Sequence, residues 1–559
     1  MNFSELTKVF KKLEKTSSRL EMTDIVSEFL KDIPENLLPT VILFLKGSTF
    51  PSWSEKEIGI GSKLMIQALS SVSGMTEKSV EDILRERGDS GIVAEQVLVK
   101  KPQTTLFKEK LTVEKVYDNL DKMVDLTGKG SQEKKIGYIS ELLSIADPGD
   151  SKYVVRLILG ELRLGVGDGI IRDAIAKSFN VDSKLVENAY YLTSDLGEVA
   201  RIAKKEGSTG LNKINLIPGH PIMVMLAQKA ANIEEILSEF KTAAFEIKYD
   251  GARLQIHKKN DMIELFTRRL ENVTKQFPEV VKMARENIKT KEAIVEGEMV
   301  AIRSLSDRRP RPFQDLSRRI KRKYDIDETV KSIPVELNLF DIIYIEGKSL
   351  LSEKFKDRRK ILEETISATD TFMLSKQLVT DDLEQAKEFY QKALDLGHEG
   401  VMVKNLDAHY RPGSRVGYMY KIKPVMETLD LVITGATWGE GRRAHWMASF
   451  LLSVIDKETG EFLNIGRMGT GLTDEQFKDM TERLKPLITK ETGKEIELKP
   501  EIVVEVAYEE IQKSPTYSSG YALRFPRLVR IREDKGVNDA DTVDRVQELI
   551  SKSAEDKDL

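Results

Sequence analysis

The stretch Glu246-Ile-Lys248-Tyr-Asp250-Gly251-Ala-Arg253 sets a lysine among carboxylates at the junction of an apolar run and a turn. The run Ala244–Tyr249 reads as a strand, and Asp250-Gly251 reads as the turn that ends it. Period-two alternation places Glu246, Lys248 and Asp250 on one face. A partly buried lysine beside cations loses its proton more readily and becomes a nucleophile. Gly251 permits a tight turn and close approach of another backbone. Taken alone, the same stretch also describes a charged surface strand closing in an Asp-Gly hairpin.

The sequence that follows favours the first reading. Thr267-Arg268-Arg269 ends the next strand-like run, and Glu296-Gly-Glu298 puts two carboxylates on one strand face. Leu339-Phe340-Asp341 places an aromatic ring in an apolar strand, and Glu399-Gly-Val-Met-Val-Lys404 repeats the carboxylate-on-strand pattern. Arg415 and Tyr420-Lys421-Ile-Lys423 add cations, the last two at alternate positions. One nucleophile candidate, two carboxylate strands and several cations suit a nucleoside triphosphate with a divalent metal. Oxygen donors hold a hard cation, and Lys and Arg offset phosphate charge.

Around this centre the chain divides into three regions, as expected for 559 residues at roughly 100–200 per domain. Residues 1–216 read as helical: Phe3, Leu6, Val9, Phe10 and Leu13 recur at helical spacing, with breaks expected at Pro34, Pro39, Pro51 and Pro148. Pro218-Gly-His-Pro221 marks a linker. Residues 217–423 mix strand-like runs with helices near 275–289, 357–369 and 383–396, an α+β domain with mixed or antiparallel sheets. Residues 424–559 read as a small barrel, strands at 429–437, 449–455, 462–468 and 502–508, with a capping box at Thr473–Gln476. A helix near 540–551 and a frayed polar tail, 551–559, are expected to end the chain.

Composition narrows the chemistry. With no cysteine, disulfides, Cys-ligated zinc and thiol nucleophiles are excluded, and five histidines without an HExxH pair leave little for a His-based metal site. The longest early apolar stretch, Leu37–Leu45, is interrupted by Pro39 and Thr40 and falls far short of the ~18–20 residues of a membrane span, and the N-terminus lacks a signal-peptide core, so a soluble, cytoplasmic protein is expected. The net charge of −4 is neutral about nucleic acid, because an acidic total can hide a basic face.

In motif order and spacing the chain resembles the ATP-dependent DNA ligases of the archaeal and eukaryotic replicative type, over nearly its whole length. The resemblance implies an all-α DNA-binding domain, an α+β nucleotidyltransferase domain and a β-barrel OB-fold domain. It implies that Lys248 is adenylylated, that Glu246 reads adenine and that Phe340 stacks on it. Arg253 and Arg268 then contact ribose and phosphates, or the DNA nick. Glu298 and Glu399 match carboxylates tied to ribose and metal binding, and Arg415, Lys421 and Lys423 match phosphate-contacting cations. The last family motif appears as Arg524-Phe-Pro-Arg527 followed by Arg530-Ile-Arg532-Glu-Asp534-Lys535.

The cofactors implied are ATP and Mg²⁺. The partner implied is nicked double-stranded DNA, with a sliding clamp as a further candidate and the enzyme acting as a monomer. In the helical region, Glu161–Gly169 forms a Gly-rich turn into a helix, where exposed amides with Arg163 and Arg172 can hold a DNA phosphate. Arg308–Lys323, with Arg318 and Arg319, reads as a DNA-backbone surface. The rival readings are an RNA ligase or mRNA-capping guanylyltransferase with the same core, a non-catalytic DNA clamp, and an NAD⁺-dependent ligase. The absence of cysteine speaks against the last, whose zinc module has four.

Overall fold

The computed structural model describes residues 1–99, 110–162, 164–230, 232–322, 324–424, 427–439, 443 and 445–558. The chain forms two compact units, one of Met1–Asp381 with Met402–Lys421 and one of Asp382–Val401 with Ile422–Leu559.

The first unit opens with helices. In Phe3–Leu13 every apolar residue of the periodic set is buried, so tertiary packing of one face stabilises this short helix. Side-chain oxygens of Thr76, Thr112 and Asp182 cap three later helices, each satisfying an orphan amide. Two of the expected breaks are helix starts. Pro39 lies in the first turn of Leu38–Leu45 and Pro148 opens Pro148–Leu159, where the missing N–H has no partner to lose.

Two sheets follow. A five-stranded sheet runs in the order Leu226–Lys229, Arg415–Ile422, Val401–Asn405, Ala243–Ile247, Gln377–Thr380. Its first pair is parallel and its last pair antiparallel, so the sheet is mixed. A six-stranded sheet runs Met262–Thr267, Ala252–Lys259, Glu292–Ala301, Val335–Ile345, Lys348–Ser349, with Phe372–Leu374 alongside Val335–Ile345. Leu254, Val295, Leu337, Phe277 and Leu362 are among the buried side chains of its core.

The second unit holds the helix Leu383–Asp395 and a seven-stranded, barrel-like sheet centred on Leu429–Trp438, which pairs with Met447–Ile455, Glu495–Leu498 and Val503–Ala507. The Thr473–Gln476 capping box is present, with both reciprocal hydrogen bonds. The last helix runs Val543–Asp558, so most of the expected frayed tail is helical. Among the described residues no helix is long and apolar enough to cross a membrane.

Candidate active site

Strand Ala243–Ile247 is buried along its whole length, as a central strand must be, and it ends one residue before Lys248. The expected strand to Tyr249 is thus too long, and alternation does not extend to Lys248 or Asp250. Nor does Asp250-Gly251 close a hairpin: the next strand, Ala252–Lys259, belongs to the other sheet. Lys248 stands where the backbone crosses from one sheet to the other. The crossing is tight. A Cβ on Gly251 would lie 2.3 Å from the Met299 carbonyl oxygen and 3.0 Å from Glu298 Cγ, so only glycine fits.

A cavity opens at this crossing, lined by Glu246, Lys248, Arg253, Glu298 and Phe340 together with Met225, Met402, Lys404, Tyr410 and Met419. Methionines and aromatic rings with a few converging charges are the lining of a small-molecule site. Thus five of the residues singled out from sequence, Lys248 among them, meet in one place.

Buried partners hold Arg253 and the neighbouring Asp341. Arg253 donates to Glu296 Oε2 at 2.7 Å and to the Met225 carbonyl at 2.8 Å. Burial works against the Arg253 cation, but the charge of Glu296 outweighs it and holds the guanidinium above its ordinary pKa. The Tyr410 hydroxyl also donates to Glu296 Oε2, at 2.9 Å. Burial and then Glu296 push that phenol well above its ordinary value, so it remains a donor. Asp341 receives both ends of the buried Arg358 fork, at 2.8 and 2.9 Å.

The other predicted residues lie elsewhere. Arg268 is exposed in the turn after Met262–Thr267, and Arg415 is exposed at the start of Arg415–Ile422. Lys421 lies on that same strand, in register with Lys229. Glu399 and Lys423 belong to the second unit, where they form an ion pair of 2.9 Å with Glu509 at 4.0 Å from Lys423. In the same unit Arg524 donates to Glu510 at 3.1 Å, and Arg527 opens the strand Arg527–Ile531. Arg532 is clasped between Asp534 and Asp430, and Lys535 donates to Asp430 at 2.7 Å. The hydrogen bonds from Arg532 hold the Asp534 carboxyl well below the usual range.

The basic stretch is less available than its sequence suggests. Arg319 is wholly buried: its guanidinium lies 4.3 Å from the Phe277 ring centre, donates to the Ile333 and Gln276 carbonyls, and pairs with Glu279. It has no exposed surface to offer DNA, which corrects that expectation. The helix Phe313–Ile320 explains why: Leu316 and Arg319, three apart, share its buried face. Arg308 pairs with Glu336 and Arg311 with Asp315; Arg318 also reaches Asp315, at 3.6 Å, but is 80 % exposed. At the Gly-rich turn, Asp168 occupies the first position of the helix Asp168–Phe179 and pairs with Lys46 at 2.6 Å. Arg172 pairs with Asp173 and Glu187, and Arg163 lies outside the described residues.

Fold and cavity together define a protein of the nucleotidyltransferase class. Family models agree along the chain: DNA ligase N terminus over residues 2–176, ATP dependent DNA ligase domain over 224–423, and ATP dependent DNA ligase C terminal region over 443–535. A DNA ligase of Thermococcus fumicolans is 48 % identical over 550 residues, covering 98 % of each chain. The DNA ligase of Archaeoglobus fulgidus is 45 % identical over 550 residues, again 98 % of each chain. A solved structure, Pmar-Lig_PreS3, matches the fold with a TM-score of 0.56 at 18 % identity, over 94 % of this chain and 99 % of that one.

The chain belongs to the ATP-dependent DNA ligases. It seals nicks in DNA, and its family uses ATP with a divalent metal, typically Mg²⁺. Glu298 offers the cavity a hard oxygen donor, the kind Mg²⁺ takes together with phosphate oxygens and water. Among the described residues no group of three His, Asp or Glu side chains forms a cage for a metal. Sequence reasoning does not single out Glu296, Tyr410, Lys404 and Arg358, which line the cavity or hold the side chains that line it. Glu296 had a signal, its place two residues before Glu298 on one strand face. Tyr410 had none, because it reaches Glu296 only through tertiary packing.

Proposed function

We propose that Lys248 is the residue that carries AMP during nick sealing. Its amine attacks the α-phosphorus of ATP, a P–N bond forms, and pyrophosphate leaves. The 5′-phosphate at the nick then takes the AMP, and the 3′-hydroxyl displaces it as the phosphodiester bond closes. The observation that carries this reading is the convergence of Lys248, Glu246, Arg253, Glu298 and Phe340 on one cavity.

In this reading Glu246 accepts from the adenine base and Phe340 stacks on it. Arg253, Arg268, Arg415, Lys421 and Lys423 contact ribose, phosphates or the nick, and Glu298 and Glu399 serve the metal. Arg524, Arg527, Arg532, Asp534 and Lys535 assist adenylylation, and Arg163 and Arg318 face DNA. Residues 1–216 grip the duplex, 217–423 carry out nucleotidyl transfer, and 424–559 form the OB-fold domain. In this reading the enzyme acts as a monomer. The location is cytoplasmic, and a sliding clamp is a further partner. Labelling with radioactive ATP tests the centre of this proposal. Lys248→Ala should form no acid-labile adenylated protein, and labelling at normal yield overturns the assignment. Glu399→Ala should weaken turnover across a magnesium titration.

A further inference from the structure

Glu246 is only 2 % exposed, and three donors converge on it. Lys404 Nζ stands 2.6 Å from Oε2, Gln377 Nε2 donates to Oε1 at 2.9 Å, and Arg359 Nη1 lies 3.6 Å from Oε1. Lys404 is itself 6 % exposed, its ammonium 4.7 Å from the Phe340 ring centre and 4.6 Å from that of Phe355. Burying such a pair is costly, and removing one partner strands the other. Carboxylate oxygens that face an ammonium and an amide N–H act as acceptors, and a carboxylate offers about four lone-pair sites. Among the described residues Lys404 and Gln377 engage two of them, Arg359 stands further off at 3.6 Å, and Glu246 lines the cavity with its remaining acceptor capacity.

We propose that Lys404 is the specificity-determining positioning residue of the base pocket: with Gln377 it fixes Glu246 as an acceptor-only edge that selects a 6-aminopurine over a 6-oxopurine. The inference rests on the ATP reading of the cavity given above. A 6-amino N–H donates to a carboxylate oxygen. A 6-keto oxygen meets that carboxylate lone pair against lone pair, and both are left buried and unpaired. The same ammonium lies over Phe340, so one cation positions both the edge that reads the base and the ring that stacks on it.

The test is adenylylation of the full chain with ATP, GTP and purine riboside triphosphate, which lacks the 6-amino group. Parent protein should prefer ATP over the purine analogue by about ten- to a hundred-fold in kcat/KM, the range of a hydrogen bond to a charged group. Lys404→Met should bring that ratio toward one, mainly by raising KM for ATP, and Lys404→Arg should keep most of it. Gln377→Leu, at a half-buried edge position, should lower the ratio partly and decides the matter if Lys404→Met does not fold. A parental ratio in Lys404→Met, or in Gln377→Leu when that variant must decide, overturns the proposal. So does an equal loss in Lys404→Arg and Lys404→Met. Failure of the parent to label with any nucleotide counts instead against Lys248 as the nucleophile.

Discussion

Arg253 stands opposite Glu298 in the register of two antiparallel strands, yet its guanidinium turns diagonally to Glu296, 2.7 Å away and wholly buried. Glu298 lines the cavity beside Arg253 and adds a weaker electrostatic attraction to it. The two carboxylates of the Glu296-Gly-Glu298 pattern therefore differ in place, one holding an arginine and one lining the cavity.

Glu296→Ala removes one side of this buried pair and leaves Arg253 and Tyr410 without their acceptor. The expected loss of stability is about 3–5 kcal/mol, the usual cost of stranding a buried charge. Glu296→Gln keeps the shape and should lose less, while its KM for ATP rises because Arg253 is no longer fixed. Denaturant midpoints and initial rates of adenylylation check this. Parental stability in Glu296→Ala would show that the pair is solvent-screened.

Gly251→Ala drives a methyl group against the Met299 carbonyl, and the crossing that carries Lys248 must shift. A displacement of about 1 Å at a reacting group costs on the order of 100-fold in rate. Single-turnover adenylylation should fall by about that factor while the far-ultraviolet circular dichroism stays close to that of the parent. A rate within twofold of the parent would mean that the crossing adapts.

How much of this could be read in the sequence depended on whether the cause was local. Phe3, Leu6, Val9, Phe10 and Leu13 announced their helix because period and burial coincide within one element. Thr473–Gln476 announced a helix start because both capping bonds are made within four residues. Lys248 was visible as the centre, but its setting was not: a two-sheet crossing and a hairpin both need an Asp-Gly turn. Arg319 was misread because a buried arginine and a DNA-facing one look alike in a basic run. Only Leu316, three residues earlier, hinted at its inward face.

Arg318 and Arg319 are adjacent and should behave as opposites. Arg318→Ala leaves stability within about 0.5 kcal/mol, as for an exposed position. If it contacts a phosphate, it lowers the salt slope of DNA binding by about one. Arg319→Ala strips the partner from Glu279 and the cation from Phe277, and should cost about 3–5 kcal/mol with the salt slope unchanged. Urea unfolding and fluorescence anisotropy on nicked duplex at several salt concentrations separate the two. A stable Arg319→Ala protein with a shallower salt slope would contradict the buried placement.

His257 gives the fold an acid limit that can be measured. The ring is 2 % exposed, its Nδ1 accepts from the Gly219 N–H at 3.0 Å, and its Nε2 lies 3.3 Å from Gln255 Oε1. Gln255 in turn donates to the Ile222 carbonyl and reaches Glu296, so the imidazole ties the Pro218–Pro221 segment to the buried partner of Arg253. Burial first, and then the nearby His220, lowers its pKa to about 3. In the unfolded chain the same ring titrates near 6.5. Below that value the unfolded state binds a proton that the native state refuses, so stability contributed by the neutral ring is lost as pH falls from about 6.5 toward 3. The slope is at most about 1.4 kcal/mol per pH unit, or about 2 kcal/mol between pH 7 and pH 5. His257→Gln cannot take up a proton and should lack this component. Urea unfolding of both proteins at the two pH values isolates it: the stability of the parent relative to His257→Gln should fall by about 2 kcal/mol on acidification. A difference that does not change with pH would mean that the ring is protonated, or hydrated, in the native state.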